Sequence, residues 1–123
     1  MRATSLIMLA VLLLGAPAAV WAGDQTQDVT VTFREWKLPT PGSHPHDPLA
    51  AADGSIWYSG QMASVLGRID PQAGRIAEYH TKTPGSGPHG LVADREGNIW
   101  FTANFKGYIG KLDPRSGGVT EYR

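Results

Sequence analysis

The chain has 123 residues, with 11 basic and 11 acidic side chains and a formal net charge of zero, a balance that points to neither nucleic acid nor a strongly charged partner. It contains no cysteine, which excludes a disulfide framework and thiolate metal sites. Imidazole, carboxylate, amide and backbone oxygen remain as ligand chemistry.

Residues 1–22 read as a cleavable signal peptide. Arg2 gives a positive start, Leu6 to Leu14 form an apolar core, and Val20-Trp21-Ala22 places small side chains at the two positions a signal peptidase inspects. A bilayer span needs about 20 apolar residues, so this core is short for an anchor. No cysteine follows it to carry a lipid. The expectation is export to the periplasm or the exterior, with no membrane attachment after cleavage. Residues 23–34 then form a leading segment, and Val29 to Trp36 ("VTVTFREW") alternates apolar and polar side chains as a strand does.

From residue 35 the sequence repeats. Residues 35–77 laid over residues 78–120 match without a gap, with 15 of 43 positions identical. The shared residues include Pro45/Pro88, His46/His89, Gly54/Gly97, Trp57/Trp100, Gly67/Gly110, Asp70/Asp113 and Gly74/Gly117. The units are therefore 35–77 and 78–123.

Each unit predicts four short strands divided by turn residues. In the second, Gly90 to Ala93 is an apolar run, Asp94 to Gly97 a turn, and Asn98 to Thr102 a stretch rich in β-formers. Lys106-Gly107 breaks that strand, Tyr108 to Leu112 follows, Asp113 to Gly117 turns the chain again, and Val119 to Tyr122 completes the set. Outside the signal peptide no segment has sustained helical periodicity. An all-β fold of β-propeller blades follows, since a period of roughly 40–50 residues with four strands per unit is the mark of a blade. Val29 to Trp36, in register with the fourth strand, is expected to belong to a preceding blade.

Two blades leave two apolar faces uncovered, which soluble monomers seldom tolerate. The chain is expected to be an N-terminal piece of a larger ring, or to self-associate through those faces as an obligate oligomer of two-blade units.

Among the repeated residues, Trp57-Tyr58 and Trp100-Phe101 stand mid-strand and read as core. Asp70 and Asp113 read as turn residues that bond the backbone two positions on. Gly67 and Gly110, inside the third strands, point to a bulge or a close approach. His46 and His89 precede the innermost strand of each unit, which puts both near the mouth of a closed ring, where propellers bind ligands. Histidine can give and take protons near neutrality, so both are candidate catalytic residues, the alternative being that each fixes a Pro-His corner. His44, His46 and Asp47, in "SHPHDP", are candidate metal ligands, the alternative being a solvated polar loop.

The elements P-H-[G/D], G-[N/S]-I-W-[F/Y]-[T/S], I-G-[K/R]-[I/L]-D-P and E-Y, present in both units or nearly so, resemble blades of the virginiamycin B lyase (streptogramin lyase) family. The resemblance implies a seven-bladed propeller and a carbon–oxygen lyase that opens a cyclic depsipeptide ester by elimination, an antibiotic-resistance activity. It also implies a cyclic peptide or other small ligand at the propeller mouth, Mg²⁺ held by carboxylates, and a histidine that handles the proton. His46 and His89 match the family's Pro-His motif. The carboxylates are not carried over: Gly60-Gln61 and Ala103-Asn104 stand after the W-F-T element, and His44 and Gly87 stand before Pro-His. A ligand-binding propeller without catalysis is the alternative, as is an enzyme acting on another lactone.

Overall fold

A computed structural model describes residues 28–123, and the expected signal peptide lies outside the described residues. Residues 28–33 and 34–123 belong to separate units. In the first, Val29, Val31 and Phe33 are exposed and no strand forms. The strand expected over Val29 to Trp36 is therefore absent. Alternation gives a segment one apolar side, but a strand exists only beside a hydrogen-bonded neighbour, and none of the sheets among the described residues takes it.

The second unit holds eight strands: β1 (Pro45–Ala50), β2 (Ile56–Gly60), β3 (Val65–Asp70), β4 (Arg75–His80), β5 (Pro88–Ala93), β6 (Ile99–Ala103), β7 (Tyr108–Asp113) and β8 (Gly118–Tyr122). They form two antiparallel four-stranded sheets in chain order, β1-β2-β3-β4 and β5-β6-β7-β8, as propeller blades do. The sheets span 45–80 and 88–122, so the repeat frame at 77/78 cuts through β4 while the chain crosses between blades at 81–87.

The turns follow from their residues. Asp70 Oδ1 accepts from the backbone N–H of Gln72 and Ala73 at 3.0 and 2.9 Å, and Asp113 Oδ1 accepts from Arg115 N–H at 3.0 Å. Gly74 and Gly117 close these turns at φ 68° and 71°, where a Cβ would be strained.

Period-two alternation sets the faces. Register places Leu49, Trp57, Leu66 and Tyr79 on one side of the first sheet. It places Leu91, Ile99, Phe101, Tyr108, Leu112 and Val119 on one side of the second. These two sides pack together as the core, each fully buried large side chain contributing about 1.5–3 kcal/mol. Trp57 also stacks on Tyr79, with ring centroids 5.6 Å apart.

Gly67 and Gly110 are neither bulges nor breaks, since both third strands pair continuously. Tyr58 lies directly across from Gly67 and Phe101 directly across from Gly110, and a Cβ on either glycine would run into the ring. The close approach is that of an aromatic ring from the neighbouring strand.

The repeated glutamates close each blade. Glu78 accepts from the hydroxyls of Thr40 and Tyr58 at 2.5 and 2.7 Å. Glu121 accepts from the hydroxyls of Thr83 and Tyr108, each at 2.7 Å. Burial alone would raise both carboxyls, but these hydrogen bonds outweigh it and hold them below the usual carboxylate range. Burial in turn pushes the Tyr58 and Tyr108 phenols up. The phenol reaches the glutamate from β2 in one blade and from β7 in the other: Tyr58/Val65 in the first corresponds to Phe101/Tyr108 in the second.

Candidate functional site

The two blades meet along β1 and β2 on one side and β5 on the other, which draws the starts of their first strands together. Those starts are bulged. β1 pairs with β2 at Pro45↔Gly60 and next at Pro48↔Tyr58, so His46 and Asp47 together face Ser59. β5 repeats the geometry: Pro88↔Ala103 is followed by Leu91↔Phe101, leaving His89 and Gly90 opposite Thr102.

A hydroxyl replaces the interrupted ladder bond in each bulge. Asp47 N–H donates to Ser59 Oγ at 3.0 Å, and Gly90 N–H donates to Thr102 Oγ1 at 3.0 Å. Sequence reasoning missed Ser59 and Thr102, although a hydroxyl recurring at one repeat position was the available signal.

The bulges bring the two histidines into contact, 43 residues apart in the chain. Their ring centroids lie 3.8 Å apart with the planes inclined by 40°. Asp47 flanks the pair: its Oδ1 is 2.7 Å from His46 Nδ1, and its Oδ2 is 3.6 Å from His89 Nδ1. All three side chains are about one-third exposed, at 36%, 36% and 35% for His46, Asp47 and His89. Gly90, the counterpart of Asp47, lies beside this carboxylate: a Cβ there would stand in ordinary contact with Asp47 Oδ2, at 3.8 Å.

His44 is not in the group. Its backbone takes the left-handed conformation, φ 53°, that Gly87 takes at φ 63° in the second blade, and its ring centroid is 6.2 Å from that of His46. The donors that gather within 4.8 Å of one another are His46, Asp47 and His89. Of the residues singled out from sequence, His46, His89 and Asp47 come together and His44 stands apart.

The sequence profile of the virginiamycin B lyase family matches residues 14–123. The chain belongs to this family. Virginiamycin B lyase from Staphylococcus aureus superposes with a TM-score of 0.68 at 32% identity, over 73% of this chain and 30% of that one. A streptogramin B lyase gives a TM-score of 0.68 at 37% identity, over 72% of this chain and 29% of that one. A catalytically inactive histidine-to-alanine variant of the Staphylococcus aureus enzyme, in a structure with quinupristin, gives 0.69 at 32% identity, over 80% of this chain and 32% of that one. The chain thus spans about a third of the length of these lyases. No curated protein matches it.

The Mg²⁺ that family resemblance implies does not fit this constellation. Mg²⁺ takes oxygen ligands in a near-octahedral shell, whereas two of the three donors here are imidazole nitrogens. Gln61 and Asn104, which follow β2 and β6, bring amides to the positions where the resemblance calls for a carboxylate.

Proposed function

We propose that the protein to which these blades belong opens a cyclic depsipeptide or lactone ester by elimination, and that His46 and His89 handle the proton. One observation carries this reading: the Pro-His corners of two blades of a lyase family bring their imidazoles to 3.8 Å with a carboxylate beside both Nδ1 atoms.

Asp47, as a carboxylate, accepts from His46 Nδ1–H and thereby fixes the tautomer in which Nε2 carries the lone pair. That nitrogen takes a proton α to a substrate carbonyl. The electron pair left behind forms a carbon–carbon double bond, and the β carbon–oxygen bond breaks to release a carboxylate. No water is consumed. His89, its Nδ1 3.6 Å from Asp47 Oδ2, presents a second imidazole to the same ligand.

A second reading is a ligand-binding propeller, favoured by the amides of Gln61 and Asn104 in place of carboxylates. Turnover separates the two. In the complete protein acting on a cyclic depsipeptide, His89→Ala or His46→Ala should lower kcat by about 10²–10⁴-fold while leaving the thermal midpoint nearly unchanged. Undiminished turnover in both variants would overturn the lyase assignment of these residues, and absence of turnover in the parent would favour the binder. The same reading has the protein exported after loss of residues 1–22, which mass measurement of the mature N-terminus would test.

A further inference from the structure

We propose that His46, Asp47 and His89 form a binding site for a first-row transition-metal cation of the Zn²⁺ class. The inference uses the same residues as the function above but does not depend on that function.

The donor set points to the class of cation. Two imidazoles and one carboxylate suit Zn²⁺ and its neighbours, which accept nitrogen and oxygen together, and disfavour Mg²⁺ and Ca²⁺. Zn²⁺ with these ligands holds them at about 2.0–2.2 Å, so neighbouring donor atoms of a tetrahedron stand about 3.3 Å apart. The observed separations bracket that value: 2.7 Å from Asp47 to His46, 3.6 Å from Asp47 to His89, and all three donors within 4.8 Å. Adjustments of up to about 1.5 Å, within the reach of side-chain rotation at partly exposed residues, close the site. Three protein ligands leave a fourth position for water or a ligand group.

The surroundings hold these ligands in place. Each bulge that presents a histidine is tied to the next strand by a hydroxyl, Ser59 on Asp47 N–H and Thr102 on Gly90 N–H, so the backbone beneath the donors is set before a cation arrives. The ligands come from both blades, so a cation here links β1 to β5 and should stabilise their association.

Occupancy has a consequence for the chemistry. A cation held through Nδ1 of both rings leaves each Nε2 protonated and unable to act as a base. Proton transfer and cation binding are then alternative uses of one place.

Calorimetric titration of the tag-free full chain with Zn²⁺, Co²⁺ and Mg²⁺ tests the site. The expected result is one Zn²⁺ per chain and no Mg²⁺ binding. His89→Ala and Asp47→Asn should each weaken Zn²⁺ binding by at least about 10–100-fold, the loss seen when even an outer-shell partner of a metal site is removed. His44→Ala should leave it unchanged. Zn²⁺ should also raise the thermal midpoint of the parent but not of His89→Ala. Each variant is compared with the parent by its β-sheet circular dichroism, and Asp47→Asn keeps the shape of the side chain should His89→Ala fail to fold. Absence of Zn²⁺ binding, or binding that survives both variants, would overturn the site. Turnover is measured on the complete protein stripped of metal, because a bound cation would itself silence both bases: Zn²⁺ binding with no depsipeptide turnover by the metal-free protein would retain the site and refute the lyase, and metal-free turnover with no Zn²⁺ binding would do the reverse.

Discussion

The same face of the two blades has two fates. In the first blade, Leu49, Trp57, Leu66 and Tyr79 lie against the second sheet, and Leu66 is 0% exposed. In the second blade their counterparts are Val92, Trp100, Ile109 and Tyr122, and Ile109 is 51% exposed. Strand, register and residue type agree between the two, and the ring pair is kept, since Trp100 stacks on Tyr122 at 5.6 Å as Trp57 does on Tyr79. Burial at a repeat position is thus conferred by the neighbouring blade and not by the blade itself. The Lys111 ammonium also lies over the Trp100 ring, 5.6 Å from its centroid.

The largest effect that would break this comparison is a paired truncation. Leu66→Ala should cost about 2–5 kcal/mol in denaturant unfolding, because it empties a closed contact. Ile109→Ala should stay within about 0.5 kcal/mol in this chain, as substitutions of exposed side chains do. Equal losses would refute the assignment of burial to the neighbour. In a longer chain with a further blade on that face, the Ile109 loss should rise toward that of Leu66.

Acid should act on the two blades through different residues. The turn between the first two strands is held in the first blade by Asp53, which accepts from Ser55 and Arg68. In the second blade Asp94 does this, accepting from Asn98 and Trp100. Those hydrogen bonds lower both carboxyls from 3.8 to about 2. A carboxyl with a depressed folded-state pKa stabilises the fold above its unfolded value and loses that contribution as pH falls through the folded one. Stability should therefore decline between about pH 4 and pH 2, and Asp53→Asn and Asp94→Asn should each make the decline shallower. A slope identical to that of the parent in both variants would contradict the assignment.

The smallest effect concerns a backbone difference between the blades. His44 occupies the left-handed region that Gly87 occupies in the other copy, so His44→Gly should be neutral or stabilising, by no more than about 1 kcal/mol. Thermal unfolding would show it, and a clear loss of stability would mean that the imidazole makes a contact that the backbone comparison does not capture.

The strands were legible because the turns are written in residues with strong local preferences: Asp-Pro starts, glycine ends and β-rich stretches between them. The repeat made each assignment twice. Val29 to Trp36 misled because alternation records a face and not a partner. The contact of His46 with His89 could not be read from spacing, since it arises where two bulged strands from separate blades converge. Asp47 and His44 flank His46 at similar distance in sequence. Only the left-handed turn at His44 and the bulge at Asp47 decide which of them faces His89.

The mass of the reaction product tests the central functional claim most directly. When the complete protein opens a cyclic depsipeptide ester, elimination adds no atoms, so the linear product should have the mass of the substrate and carry a new carbon–carbon double bond. A product heavier by one water would mean hydrolysis and would contradict abstraction of the carbon-bound proton by the paired histidines.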